Sequence, residues 1–182
     1  MLSLIFSVLI ALGVASTPIP DLKLVGQDGK PLTVHSLKSH FIFLTFLYSR
    51  CPAQDMCPKT MKMSKALLAD WKKTAPELPL KVLAISFDPD HDTPKILAQF
   101  GKSYGVNPKD FILATGDLED ISKFSENFNI VAFPSAGQPF AHNMKNILIG
   151  PGLVEIKQFK DNEFNSAQVI KAAKEHLNQP KG

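Results

Sequence analysis

The chain has 182 residues, of which 45% are hydrophobic and 20% are charged, so it can bury one packed core and is not intrinsically disordered. The formal net charge of +3 arises from 20 basic and 17 acidic side chains that are dispersed along the chain. Without a basic stripe the chain does not fit a nucleic-acid-binding protein, and without about 18 consecutive apolar residues after the N-terminus it does not fit a membrane bundle.

The first 16 residues are predicted to be separate from the folded domain, which covers residues 17–182. Residues 2–14 are almost continuously apolar, and the small residues Ala15, Ser16 and Thr17 follow them, as is typical of a signal peptide and its cleavage site. Because no Lys or Arg precedes the apolar run, an uncleaved N-terminal anchor is the alternative. Both interpretations place the domain in the periplasm or at the outer face of the cytoplasmic membrane, with membrane contact only through an uncleaved segment.

The domain alternates between predicted strands and helices. Residues 41–48 are all apolar, aromatic or β-branched, which indicates a central strand buried on both faces. The predicted strands, in chain order, cover residues 22–25, 32–34, 41–48, 80–87, 111–113, 146–150 and 153–159. The predicted helices cover residues 59–74, a segment that opens at Thr93 and Pro94, residues 117–128, and a last segment from Asn165 or Ser166 to residue 178.

This order of elements predicts an α/β fold. Strands that alternate with helices form a largely parallel sheet, and the hairpin of the last two strands adds an antiparallel edge. We therefore expect a three-layer sandwich, with helices on both faces of a mixed sheet. With its extra N-terminal hairpin, this layout is similar to the thioredoxin-like fold.

The two cysteines, Cys51 and Cys57, lie between a predicted strand and a predicted helix. A helix N-terminus stabilises negative charge, so we expect the thiol of Cys57, next to Pro58, to have the lower pKa. On a regular helix two residues at this spacing would point apart, so residues 52–56 must form a loop if the sulfurs are to meet. Such a pair is a structural disulfide, a redox-active pair or two metal-binding thiolates.

A metal at this pair needs a ligand from elsewhere in the chain. Zinc would require about four ligands, and the chain has no further cysteine, whereas Cu(I) accepts two or three soft ligands and tolerates an imidazole. Among the histidines, His142 is the best placed, because it lies in a Pro/Gly-rich loop before a strand, beside the expected thiol site. The other histidines are His35, His40, His91 and His176.

Three blocks of the sequence resemble, in order and spacing, the signature blocks of the Sco/SenC family. They are FLTFLYSRCPAQDMCPKTM at residues 43–61, AISFDPDHDTP at 84–94 and AHNMKNILIGPGLVE at 141–155. The segment at 21–46 is also similar to the family's opening, and the resemblance covers residues 18–177. The members of this family are thioredoxin-like copper proteins that assist the assembly of cytochrome c oxidase.

The resemblance implies a copper site of Cys51, Cys57 and His142, with Cu(I) or Cu(II) as the bound ion. It also implies that Asp88 and Asp92 lie close to the metal, although a helix cap and a solvated turn are alternative roles for them. The implied partners are a copper-receiving subunit of a respiratory oxidase and a thiol reductant. The predicted function is that of a copper metallochaperone, not primarily that of an enzyme.

Two departures from the family pattern keep an alternative open. The spacing of five residues between the cysteines is longer than is usual in the family, and Ala141 stands where an acidic residue usually precedes the histidine. The alternative function is a thiol–disulfide oxidoreductase that uses the same cysteine pair on exported partner cysteines. A peroxiredoxin-type peroxidase is disfavoured, because Tyr48 occupies the position that those enzymes give to a threonine.

Overall fold

The computed structural model describes residues 18–130, 132–135 and 138–179, and between residues 132 and 142 it describes the backbone of two strands only. The strands are β1 (Lys23–Gly26), β2 (Pro31–Thr33), β3 (Phe41–Leu47), β4 (Leu80–Ser86), β5 (Phe111–Thr115), β6 (Ala132–Ser135), β7 (Gln138–His142), β8 (Lys145–Gly150) and β9 (Val154–Lys160). The α-helices are α1 (Cys57–Thr74), α2 (Pro94–Ser103), α3 (Leu118–Glu126) and α4 (Ser166–Leu177), and a 3-10 helix covers Val34–Leu37.

Seven of the described strands form one mixed sheet. Their order is β2-β1-β5-β4-β3-β8-β9, and β6 and β7 pair separately. Strands β3, β4 and β5 are parallel to one another, whereas β1 and β8 are antiparallel to the strands beside them in this parallel core. The mixed sheet and the N-terminal hairpin of β1 and β2 are therefore as predicted.

Strand β3 lies at the centre of the molecule, and all of its residues are buried. Successive side chains of a strand point to opposite faces of the sheet, so an uninterrupted apolar run can feed two cores. Phe43 and its neighbours at alternate positions pack with α1 and α4, while Leu44 and its neighbours pack with α3 on the opposite face. The rings of Phe43 and Phe164 have centroids 4.9 Å apart. The expected three layers are confirmed.

The three sequence blocks meet at one edge of the sheet. The loop with the cysteines follows β3, and the loop with Asp88 and Asp92 follows β4, which is parallel to β3 and paired with it along its length. Strand β8 is antiparallel to β3, so it begins at the edge where β3 ends. Since β7 ends at His142 and β8 begins at Lys145, the histidine segment leads to the same edge.

The structure differs from the sequence-based expectation in several local features. Helix α1 begins at Cys57 instead of residue 59, which is possible because proline is tolerated in the first turn of a helix. The loop expected before β8 contains the hairpin of β6 and β7, in which His142 is the last strand residue. Leu118, expected in the apolar stripe of α3, is 37% exposed.

The N-terminal prediction falls on residues that the structure does not describe. The proposed signal peptide or anchor, residues 1–16, lies outside the described residues. Within the described part of the chain, no helix has the length and apolar character needed to cross a membrane.

Candidate metal centre

The two cysteines lie close together just beyond the end of β3. Cys57 is the first residue of α1 and is fully buried, whereas Cys51 is half-buried in the preceding loop, and both thiols are free. The residues between them form a loop, as predicted, in which the backbone N–H of Met56 donates to the carbonyl oxygen of Ala53 at 3.1 Å. The loop brings the Cys57 thiol within hydrogen-bonding reach of Cys51.

The closeness of the two thiols shifts their pKa values in opposite directions. The hydrogen bond from the Cys57 thiol stabilises the Cys51 thiolate and lowers the pKa of Cys51 to about 5. The same hydrogen bond, together with burial, raises the pKa of Cys57. The expectation that Cys57 has the lower pKa is therefore wrong, because burial and the adjacent thiolate outweigh the effect of the helix N-terminus. Cys51 is the thiolate of the pair and Cys57 is the donor.

A buried carboxylate fixes the beginning of the cysteine loop. The side chain of Asp92 is fully buried and accepts hydrogen bonds from the backbone N–H of Ser49 at 2.9 Å, from the Ser49 hydroxyl and from the Ser86 hydroxyl. These donors come from the ends of β3 and β4. Asp92 thus ties the residue two positions before Cys51 to the neighbouring strand.

An ion pair adds a second connection between the same two loops. Arg50 Nε lies 2.7 Å from Asp88 Oδ2, and Arg50 Nη2 lies 3.2 Å from Asp88 Oδ1, so the guanidinium binds the carboxylate through two donors. Asp88 is buried, and the side chain of Arg50 is half exposed. A bidentate pair has a defined geometry, which restrains the backbone at the residue directly before Cys51.

The alternative roles weighed for the two aspartates do not match these contacts. The N-cap of α2 is Thr93, whose hydroxyl accepts a hydrogen bond from the backbone N–H of Ile96, so neither aspartate caps that helix. Neither lies in a solvated turn, since both carboxylates are buried. Asp88 and Asp92 act on the cysteine loop through Arg50 and Ser49.

The predicted histidine is placed by its backbone. His142 pairs with Ala132 across the β6–β7 hairpin, and its side chain lies outside what the structure describes. His91, in the loop between the two aspartates, is the other histidine at this edge. Across the described side chains, no group of three or more His, Cys, Asp or Glu could hold a metal ion, so the thiol pair needs a further ligand.

Two residues beside the cysteines were missed by sequence reasoning. Arg50 places a positive charge next to the pair, and its position directly before Cys51 is visible in the sequence. Tyr48, whose position argues against a peroxidase, also hydrogen-bonds to the Cys51 sulfur through its hydroxyl and helps to lower the pKa of that thiol. Burial and the Cys51 charge in turn raise the pKa of Tyr48, so its phenol stays a donor.

Comparison with known proteins shows the family to which the chain belongs. A model of the SCO1/SenC family matches residues 15–178. A protein of Stutzerimonas stutzeri that is named for copper binding is 28% identical over 137 residues, which cover 73% of this chain and 64% of that protein. The chain therefore spans slightly less than two thirds of the length of this relative.

Solved structures of similar proteins share the fold. A SCO1/SenC family lipoprotein from Bacillus anthracis superposes with a TM-score of 0.80 at 23% identity, over 90% of this chain and 97% of that chain. Arabidopsis thaliana ScoI with copper bound superposes with a TM-score of 0.77 at 20% identity, over 90% of this chain and 100% of that chain. The predicted family and the predicted thioredoxin-like fold are confirmed.

The first prediction concerns the buried carboxylate. An Asp92→Asn substitution places an amide N–H₂ against hydroxyl and backbone donors, so we expect the free energy of unfolding to fall by about 1–3 kcal/mol. Asp90→Asn is the matched control, because Asp90 lies exposed in the same loop and its substitution should change stability by less than about 0.5 kcal/mol. Urea unfolding measures both values, and equal stabilities for the two variants would refute the role given to Asp92.

The second prediction concerns the asymmetry of the thiols. In reduced, metal-free protein, the alkylation rate of Cys51 by iodoacetamide should reach half its plateau at about pH 5, since the thiolate is protonated below that pH. Cys57 should remain unmodified while the fold is intact. Mass spectrometry of quenched samples identifies which cysteine has reacted.

The control for this experiment is the Cys57→Ala variant. It removes the thiol that donates to Cys51, so the midpoint should move up toward the ordinary thiol pKa of about 8.5. Equal alkylation of both cysteines at neutral pH, or a midpoint that the variant does not change, would contradict the assignment.

Proposed function

The chain belongs to the SCO1/SenC family, and we propose that it is a copper-binding metallochaperone that assists copper-site assembly in a respiratory oxidase. The observation that carries this proposal is the closeness of the free thiols of Cys51 and Cys57, near enough to shift each other's pKa, at the sheet edge where the other two sequence blocks also meet. Two adjacent sulfurs, one of them a thiolate, are suited to a soft ion such as Cu(I). The name of the Stutzerimonas relative supports copper as the metal.

The two thiols differ in a way that suits a carrier of copper. The Cys51 sulfur is partly exposed and ionised near neutral pH, so an incoming ion can reach it first. The Cys57 thiol must lose its proton before it binds the same ion, so binding releases a proton and depends on pH. The buried sulfur then completes a two-thiolate site away from solvent.

His142 is the proposed third ligand. It ends β7, and β8 begins three residues later beside the C-terminal end of β3, with Asn146 paired to Thr45. The backbone therefore leads from the histidine to the strand that lies beside β3, the strand that precedes the cysteine loop. The five-residue spacing and Ala141 depart from the usual family pattern, so the imidazole of His142 lacks the acidic neighbour that usually precedes it.

Asp88 and Asp92 are proposed to support the site without binding the metal. Their carboxylate oxygens already accept hydrogen bonds from Arg50, Ser49 and Ser86. Both act on the two residues directly before Cys51. The charge of Asp88 is balanced by Arg50, so the pair adds no net charge beside the thiolate.

The proposed site of action is outside the cytoplasm. An N-terminal signal peptide or anchor would export the domain, in agreement with the lipoprotein from Bacillus anthracis among its structural neighbours. The proposed partners there are the copper-receiving subunit of a respiratory oxidase and a reductant that keeps the thiols reduced. Copper binding needs reduced thiols, which is why a thiol reductant accompanies the chaperone role.

The copper proposal is tested by titrating the reduced protein with Cu(I) in competition with a chromophoric chelator. One equivalent should bind. Losing a residue that only supports a metal ligand usually weakens binding by about 10–100-fold. The loss of a ligand itself, in Cys51→Ser, Cys57→Ser or His142→Ala, should therefore weaken binding by more than that. His91→Ala is the matched control and should leave the affinity unchanged. Unaltered affinity in His142→Ala would exclude the three-ligand site.

Thiol–disulfide exchange is a second candidate function, favoured by the opposite pKa shifts of the two cysteines. The Cys51 thiolate would attack a disulfide sulfur of a partner and form a mixed disulfide. The partner's leaving sulfur departs as a thiolate. The Cys57 thiol, once deprotonated, would then attack the Cys51 sulfur and release the second partner thiol, leaving the Cys51–Cys57 disulfide. No metal takes part in these steps.

Partner-disulfide exchange separates the two functions. With a disulfide-containing peptide as substrate, Cys51→Ser should abolish the reaction and Cys57→Ser should accumulate the mixed disulfide, because the resolving thiol is missing. His142→Ala should exchange at the wild-type rate. A rate that falls with His142→Ala, or no exchange in the wild-type protein, would count against this second function.

A further inference from the structure

The side chain of Asn162, in the connection between β9 and α4, holds the second half of the segment between the cysteines. Its Nδ2 donates to the backbone carbonyl oxygen of Asp55 at 2.9 Å and to that of Met56 at 3.2 Å. Its Oδ1 accepts a hydrogen bond from the Thr60 hydroxyl at 2.8 Å. Asp55 and Met56 are the two residues directly before Cys57, and Asn162 itself is 9% exposed. One amide therefore fixes both the end of the loop and the first turn of α1.

Asn162 is in turn fixed by the beginning of β8. The backbone N–H of the preceding residue, Asp161, donates to the carbonyl oxygen of Met144 at 2.9 Å. The carbonyl oxygen of Asp161 accepts a hydrogen bond from Asn146 Nδ2 at 2.7 Å. Met144 lies two residues after His142. The hydrogen bonds thus connect the chain that follows the histidine to the chain that precedes Cys57.

We propose that Asn162 is the positioning residue that sets the separation of the two thiols and aligns them with the histidine segment. Ser49 and Arg50 restrain the loop only before Cys51, whereas the Asn162 side chain restrains its second half, in addition to the backbone hydrogen bond between Met56 and Ala53. For copper binding, this inference rests on the proposed function. Its effect on the thiol pair needs no metal.

The loop between the cysteines needs a positioning residue because it is long. A longer loop has more conformations, so holding its two ends together costs more entropy unless further contacts restrict it. The Asn162 amide supplies these contacts because it donates twice and accepts once from one planar group. An aspartate has the same shape, but its carboxylate only accepts hydrogen bonds, so it would face two carbonyl oxygens without a proton between them.

The test is the dithiol–disulfide equilibrium of metal-free protein carrying Asn162→Asp, measured against dithiothreitol buffers. In this reaction the two protein thiols transfer two electrons and two protons to the cyclic disulfide of dithiothreitol, which becomes the dithiol as the protein disulfide forms. Because the thiols meet less often, the equilibrium constant for disulfide formation should fall about tenfold, so the potential becomes about 30 mV less negative. A folded Asn162→Asp protein with an unchanged constant would overturn the proposal.

Asn165→Ala is the matched control for a general loss of stability. Asn165 lies in the same connection, and its side chain caps α4 by accepting a hydrogen bond from the backbone N–H of Gln168 at 3.0 Å. The control should lower the melting temperature while the thiol equilibrium stays at the wild-type value. A shift as large as that of Asn162→Asp would show that stability, not position, is responsible, and would refute the inference.

A second variant covers the case in which Asn162→Asp does not fold. Thr60→Val keeps the shape of the side chain and removes the hydroxyl that donates to Asn162, so it should shift the equilibrium in the same direction by a smaller factor. An unchanged equilibrium in folded Thr60→Val would then overturn the proposal.

A Cu(I) competition titration separates this inference from the proposed function. Parallel losses of copper affinity and disulfide stability in Asn162→Asp would support both. A wild-type protein that binds no copper, together with a shifted thiol equilibrium in the variant, would refute the metallochaperone and support the positioning role.

Discussion

The site depends on one constraint: two cysteines separated by five residues must meet between a buried strand and a helix. The strand and the helix have fixed positions, so the connection between them decides where the sulfurs lie. Its first half is tied to the end of β4 by Asp92 and Asp88, and its second half is tied to the β9–α4 connection by Asn162. Side chains from two distant parts of the chain therefore restrict the conformations of this longer loop.

The close approach of the two thiols links the two candidate functions. A half-exposed Cys51 thiolate beside a buried Cys57 thiol is an arrangement that can take up a soft ion or attack a disulfide. Both uses begin at the accessible sulfur and are completed by the buried one. What would distinguish a copper carrier is the third ligand, and the topology leads the chain from His142 toward this edge of the sheet.

Much of this architecture could be predicted, because the patterns that carry it are local. The apolar run of β3 and the helix starts at Thr93 and at Asn165 or Ser166 are visible in the sequence, and in the structure Thr93 and Asn165 are the N-caps. The β6–β7 hairpin could not be predicted in the same way, since Pro134 and Pro139 are unusual inside strands and are tolerated here in a sheet of only two strands.

The electrostatics of the site were beyond sequence reasoning for a different reason. The direction of the Cys57 pKa shift depends on burial and on a neighbouring thiolate, which a helix-terminus argument does not contain. Ser49, one of the donors to Asp92, lies 43 residues away in sequence, and only the paired ends of β3 and β4 bring the two residues together. Neither property can be inferred from the spacing of the motifs.

The most direct test of the central claim is X-ray absorption spectroscopy at the copper edge on protein loaded with one equivalent of Cu(I). The account predicts a coordination shell of two sulfur atoms and one imidazole nitrogen, from the cysteine pair and His142. A shell of three sulfur atoms would assign the third position to a methionine, and a shell without sulfur would remove the cysteine pair from the metal site. Either result would contradict the account.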